Sequence, residues 1–313
     1  MTAPTEHRRP VEAGPARMRS DLRRRCAGAW LRLFFRIVGL SPAFAAAARP
    51  VFVFLAFSFS PRIRRATAVN AARLLDHPDE KTKRLFGRRV VGSFYDFVCD
   101  VGATLHSTRE QLAARIESVT GTESYHAARA AGRGAVLVTA HMGSFEKGLV
   151  ALPIQEKRIH VVFKRDKIGG FEKLRTELRK RLNVAESPVD DGWGVWVRLR
   201  EALQNDEVVA VQGDRVLPGQ KGIPVAILGG TLLLPTGPFK LAASAGSPVM
   251  PIFSTRSPDG RIAIRIEPAI DPTDVDAAVR LFGACLERQL RTHADQWLVL
   301  DPAFLEDEPA GAR

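Results

Sequence analysis

The stretch that decides the fold reads Gly134-Ala135-Val136-Leu137-Val138-Thr139-Ala140-His141-Met142-Gly143-Ser144-Phe145-Glu146. A short apolar run after a glycine reads as a buried strand over residues 135–139. Residues 144–152 carry helical spacing, with Ser144 placed as N-cap and Glu146 in the first turn. Strand, tight turn and helix form the unit from which layered α/β folds are assembled.

Working outward, the same grammar repeats. Strands are expected over 159–163, 208–212, 225–228, 249–253 and 262–266. Helices are expected over 171–182, 193–205, 238–244 and 275–293, the first of them basic and amphipathic. Upstream, 62–75 and 79–101 read as helices joined by the turn His77-Pro78-Asp79. Residues 112–116 start a short strand or linker, and 122–131 form a helix ending at Gly132. The expected fold is therefore α/β, a central mixed sheet flanked by helices, with an N-terminal helical region. Its expected parts are a basic disordered arm (1–28), a helical membrane-associating region (29–110), an α/β domain (111–304) and a loose tail (305–313).

Charge is unevenly placed along the 313 residues. The chain carries a net +12, yet residues 1–65 hold 13 Arg and only three acids, leaving the remainder close to balance. A localised basic arm points to a polyanionic surface, either anionic lipid or nucleic acid. The arm lacks aromatics before Trp30, and the rest is nearly neutral, so nucleic acid is not the expected partner. Apolar residues at 45% allow a proper core. Cys26, Cys99 and Cys285 are widely separated, with no Cys/His cluster, so reduced thiols are expected and neither a disulfide framework nor a metal site is.

Two apolar stretches follow the arm, Trp30 to Leu40 and Val51 to Phe57, interrupted by Arg32, Arg36, Arg49, Pro42 and Pro50. Neither reaches the roughly 18 uninterrupted apolar residues of a confident span. A signal peptide, a transit peptide, a buried helix and an interfacial anchor are four competing readings. Arginines inside the apolar run oppose the signal peptide. The anchor reading, arginines on lipid phosphates and aromatics in the acyl boundary, accounts for the pattern best.

No GxSxG, Walker A, HExxH or EF-hand pattern occurs, and Gly132-Arg133-Gly134 precedes its strand rather than following it. One constellation remains, His141-x4-Glu146. With seven His and 34 acids in the chain, about one such spacing is expected by chance, and His7 with Glu12 supplies another in the arm. Context separates them, because His141 ends a strand and Glu146 opens the next helix, so the turn can fold the carboxylate back onto the imidazole. Such a pair suits a general base, the carboxylate fixing the tautomer. The residues alone leave a catalytic pair and a loop-binding histidine both open.

Thr139-Ala140-His141-Met142-Gly143-Ser144-Phe145-Glu146 resembles the first block of the bacterial lipid A biosynthesis (lauroyl/myristoyl) acyltransferases, within the lysophospholipid acyltransferase superfamily. Further blocks follow in order: Arg65 to Asn70 with Leu74, Val162-Phe163-Lys164-Arg165, the helix of Arg175, Arg179 and Arg181, Glu207 to Asp214, Val225 to Gly230 with Thr236-Gly237-Pro238, Val249 to Phe253, and Asp295-Gln296-Trp297. Arg215 stands after Asp214 where the family often has His or Gln.

The resemblance implies an enzyme moving a fatty acyl chain from a thioester to a hydroxyl of a lipid or glycolipid such as a lipid A precursor, without cofactor or metal. The donor would be acyl carrier protein or acyl-CoA. His141 would be the general base and Glu146 its orienting partner, with oxyanion donors from the glycine turn or an arginine. Lys164, Arg165 and Arg179 would meet phosphates of donor or acceptor, and Asp214 would line the site. Trp193, Trp196 and Trp297 read as core or interface aromatics. The implied location is the cytoplasmic face of a bacterial inner membrane, peripheral or single-pass. Other acceptors (a lysophospholipid, another glycolipid, a secondary metabolite) and a non-catalytic lipid-binding relative are the alternatives.

Overall fold

Ser41 accepts a hydrogen bond from the Phe44 N–H and Pro42 brings a preset φ, so helix α1 (Pro42–Phe59) of the computed structural model begins there. The structure describes residues 41–148, 156–165 and 169–306. The expected basic arm and the first apolar stretch lie outside those residues. α1 runs through Pro50, which the sequence reading took as an interruption. Ser60 then caps α2 (Pro61–Leu74), and the pair is bent by 94°. No single helix among the described residues is long and apolar enough to cross a membrane; the bent pair passes that test by length and composition only.

Asp79 caps α3 (Glu80–Thr104) by accepting from the Thr82 N–H at 2.7 Å. α3 is the helix on which α1 and α2 rest. Arg49 pairs with Asp96 at 2.9 Å, the Tyr95 hydroxyl donates to the Ala45 carbonyl at 2.7 Å, and Phe52 lies against the Tyr95 ring.

The chain continues through α4 (Arg109–Ala113), β1 (Ile116–Thr120), α5 (Thr122–Arg129), β2 (Ala135–Thr139), α6 (Phe145–Gly148), β3 (Ile159–Phe163), α7 (Gly169–Arg181), β4 (Ala185–Pro188), α8 (Gly194–Gln204) and β5 (Val208–Gln212). It closes with β6 (Gly222–Ile227), β7 (Gly230–Pro235), α9 (Gly237–Ala245), β8 (Val249–Arg256), β9 (Ile262–Ile266) and α10 (Val275–His293). Seven strands form one sheet in the order β1-β9-β8-β2-β5-β3-β4, parallel throughout except at β8/β9, while β6 and β7 make a separate hairpin. The α/β fold with a mixed sheet is as the sequence indicates.

Three local readings change. Residues 109–113 are helical and the strand begins at Ile116, because Thr108 and Gln111 close a capping box. β4 is an Ala-Glu-Ser-Pro edge strand with no apolar alternation, and β7 pairs with β6 in a hairpin and bridges to Phe304 through Leu232. The hydroxyl of Ser144 does not cap the following helix; it donates to the buried Asp100 carboxylate instead.

Because β2 sits mid-sheet, both its faces are covered, which is why its residues read as a continuous apolar run. Val136 and Val138 join a core with Leu199, Phe239, Phe253 and Phe282, packed by α8, α9 and α10. Ala135 and Leu137 face the opposite core with Phe97, Leu178 and Ile264, packed by α3 and α7. Truncating Leu137, 1% exposed, to Ala would cost about 2–5 kcal/mol.

Candidate active site

β2 and β5 are parallel neighbours with Thr139 opposite Gln212. Two residues beyond each lie His141 and Asp214, so sheet register alone sets them side by side. In open α/β sheets, ligands bind beyond the carboxyl ends of such strands. His141 Nδ1 lies 2.8 Å from Asp214 Oδ1, and the His141 backbone N–H donates to Oδ2 at 3.2 Å. The Trp297 indole N–H donates to the same Oδ2 at 2.8 Å. No described residue bonds His141 Nε2, and His141 lines the large cavity described below.

Burial pushes the Asp214 carboxyl upward. The His141 ring, its hydrogen bond, Arg215 and the Trp297 N–H outweigh that and hold it well below the usual carboxylate range. The side chain has no exposed surface yet remains an anion, positioned to stabilise an imidazolium.

Glu146 does not take that place. The turn at Met142-Gly143 carries it away from the imidazole, and its Oε1 pairs with Arg175 of α7 at 2.5 Å. Its Oε2 is buried without a hydrogen-bond partner. The expected His141–Glu146 contact is thus replaced by His141–Asp214 and Glu146–Arg175. Phe145, next to Glu146, meets the His141 ring edge-on at 5.7 Å between centroids and stacks on Phe97 at 4.9 Å.

The turn itself is held from behind. Gly143 has φ +52°, and a Cβ there would sit 2.5 Å from the Ser254 carbonyl oxygen, so glycine is required on both counts. The Gly143 N–H donates to the Gln296 carbonyl at 3.0 Å and the Leu298 N–H donates to the His141 carbonyl at 2.7 Å. The Gln296 side chain bonds both the N–H and the carbonyl of Arg256. Beneath the turn, Asp100 of α3 receives Lys147 Nζ at 2.5 Å and Arg256 Nη1 at 2.6 Å. The Met142 N–H is also used, donating to the Ala140 carbonyl at 2.8 Å. The N–H groups of Met142 and Gly143 in this turn, from which oxyanion donors are expected, are thus bonded to carbonyls.

A cavity of about 1480 Å³ opens in front of His141. Its lining includes the apolar Phe52 of α1, Phe94, Phe97 and Val98 of α3, Phe145, and Trp193, Trp196 and Val197 of the α8 end. It also carries Lys164, Arg200, Arg215, Lys221 and Lys240, and Arg175 beside Glu146, with Asp190 as the one acid among the described lining residues. Such a volume accepts a long hydrocarbon chain together with an anionic group.

Of the other expected site residues, Lys164 lines this cavity and is exposed. Arg165 is drawn to Asp190 and Asp191, the latter at 2.6 Å. Arg179 turns inward, pairs with Glu186 at 2.6 Å and Glu172 at 3.1 Å, and lies over the Phe163 ring at 3.6 Å. Neither lines the cavity. Arg200 of α8, Lys240 of α9, and Arg215 and Lys221 of the β5–β6 connection, which do, form no sequence pattern. Trp297 is buried, whereas Trp193 stands 81% exposed. Among the described residues, no group of His, Cys, Asp and Glu could hold a metal ion.

A carboxylate-held imidazole open to a lipid-sized cavity is an arrangement suited to proton abstraction from a hydroxyl. The sequence profile of the bacterial lipid A biosynthesis acyltransferases matches residues 17–306. A phosphatidylinositol mannoside acyltransferase of Mycobacterium tuberculosis H37Rv is 28% identical over 201 residues, 63% of this chain and 63% of that protein. One from Mycolicibacterium smegmatis is 27% identical over 180 residues, 56% and 59% respectively. The match thus spans about three fifths of each of these relatives. With most of its length matched by the family profile, the chain belongs to the bacterial lipid A biosynthesis acyltransferase family.

Proposed function

We propose that this protein moves a fatty acyl group from an acyl thioester to a hydroxyl of a lipid or glycolipid acceptor. The observation that carries the reading is the His141–Asp214 pair at 2.8 Å, opening on a cavity lined by both aromatic and cationic side chains. Nε2 takes the proton as the acceptor oxygen attacks the thioester carbonyl. Asp214 holds Nδ1–H and stabilises the imidazolium. The tetrahedral intermediate collapses with cleavage of the C–S bond, and the imidazolium returns its proton to the departing thiolate. No acyl-enzyme is needed.

Lys164 and Arg215, both exposed in the lining, are the cations suited to the oxyanion or an adjacent phosphate. Arg175, held by Glu146, forms a fixed cationic part of the wall. The acyl chain runs along Phe94, Phe97 and Val98. The mycobacterial relatives are named for a glycolipid carrying a phosphate, and a lipid A precursor is of the same chemical kind. Acyl carrier protein and coenzyme A both carry their thiol on a phosphopantetheine arm, with the phosphate at the arm's other end. The reading puts the enzyme at the cytoplasmic face of a bacterial inner membrane, with α1 and α2 at the lipid boundary.

The test is acyl transfer from a labelled thioester to lipid extracted from cells lacking the protein. Wild type acylates a lipid, and His141→Ala loses about 10²–10⁴-fold in kcat. Undiminished transfer by His141→Ala, or a wild type that binds lipid without turnover, contradicts the reading.

A further inference from the structure

Two elements far apart in sequence put apolar side chains on the rim of one cavity. Phe52 of α1 is 39% exposed; Trp193, the N-cap residue of α8, is 81% exposed and Val197 is 49% exposed. All three line the cavity in front of His141. Trp193 and Val197 are four residues apart, so they share one face of the helix end. A solvent-facing indole with a valine beside it is not explained by packing, since neither is buried against the fold.

The surroundings are cationic. Lys164, Arg200, Arg215, Lys221 and Lys240 are exposed in the same lining, against one acid, Asp190, among the described lining residues. Tryptophan prefers the membrane–water boundary, and Lys and Arg reach from there to lipid phosphates. An acidic protein would answer the cations, but it would leave Trp193 and Val197, and the exposed Val51, Phe54 and Phe59 elsewhere on α1, without an apolar phase to enter.

We propose that the tip of α8, through Trp193 and Val197, is a second lipid-contact surface that works with α1 to seat the cavity mouth on an anionic bilayer. The acceptor then enters sideways from the membrane and need not leave it. This rests on the lipid-acceptor reading above only for the acceptor's route; the contact itself is independent of catalysis.

The experiment uses vesicles of phosphatidylglycerol and phosphatidylcholine in equal parts, their acyl chains brominated to quench tryptophan on contact. Trp30→Phe removes the indole near the arm. The full-length Trp30→Phe protein is compared with Trp30→Phe/Trp193→Phe. Emission of the first is expected to be quenched by the vesicles, and that of the second largely spared. Val197→Glu is expected to weaken vesicle binding about tenfold. Equal quenching of both proteins, or unquenched Trp30→Phe protein sedimenting with the vesicles, would overturn the proposal. So would variants at both positions that lose an acidic carrier protein while keeping the vesicles. Acyl transfer to detergent-dispersed lipid is read separately. Its absence with quenching intact removes the enzymatic reading and not this surface; its presence without quenching removes this surface alone.

Discussion

A carboxylate with no exposed surface stays ionised at Asp214 because its contacts with the His141 ring, Arg215 and the Trp297 N–H outweigh burial. Its folded value is depressed, so on acidification the unfolded chain takes up the proton first. The resulting stability is present above about pH 4 and is lost as pH falls through the folded value. Thermal unfolding of wild type and Asp214→Asn is accordingly expected to differ at neutral pH and to converge as pH falls below about 4. Glu146 acts through a different partner. Because its Oε1 is committed to Arg175, Glu146→Gln and Arg175→Lys are expected to be non-additive in kcat/KM, coupled by about 0.5–3 kcal/mol in a double-mutant cycle. Additive losses would place Glu146 in a separate role. At this scale the sequence displayed His141 and Asp214 as members of separate blocks, but not their pairing. The nearer acid in the chain, Glu146, was the natural partner by spacing, and only the register of two parallel strands shows that the one 73 residues away is closer in space.

Among the elements, α3 connects the N-terminal helices to the turn that bears His141. Asp96 holds α1 through Arg49, and one turn later Asp100 holds Ser144, Lys147 and Arg256. Burial raises the Asp100 carboxyl, and Lys147 and Arg256 more than reverse it. Asp100→Asn would leave the buried Lys147 and the half-buried Arg256 without their shared counter-charge, and is expected to lower stability by about 3–5 kcal/mol in urea unfolding. Adding Lys147→Met should recover part of that loss, since removing both partners spares the unpaired charge. The strand-turn-helix unit around His141 was legible because a strand buried on both faces is apolar throughout. β4 and β7 were not, since one is a four-residue edge and the other is defined by a hairpin partner. Arg179 shows a further limit. Its place on a basic helix suggests a solvent-facing anion binder, whereas two acids and the Phe163 ring draw it inside.

Over the whole molecule, the polarity of the cavity follows from which elements meet there. α1 and α3 bring aromatic groups, α8 brings both indoles and Arg200, α9 and the β5–β6 connection bring Lys and Arg, and the β2/β5 junction sets the imidazole in the same lining. That division was invisible in composition, because the α/β part is nearly neutral overall and its cations gather only in three dimensions. The most direct test of the account compares initial rates of acyl transfer to a lipid acceptor for His141→Ala, Asp214→Asn and the double variant. If the imidazole and the buried carboxylate act as one unit, each single change lowers kcat by about 10²–10⁴-fold and the double is no slower than His141→Ala. An Asp214→Asn enzyme that keeps nearly the wild-type rate would contradict it.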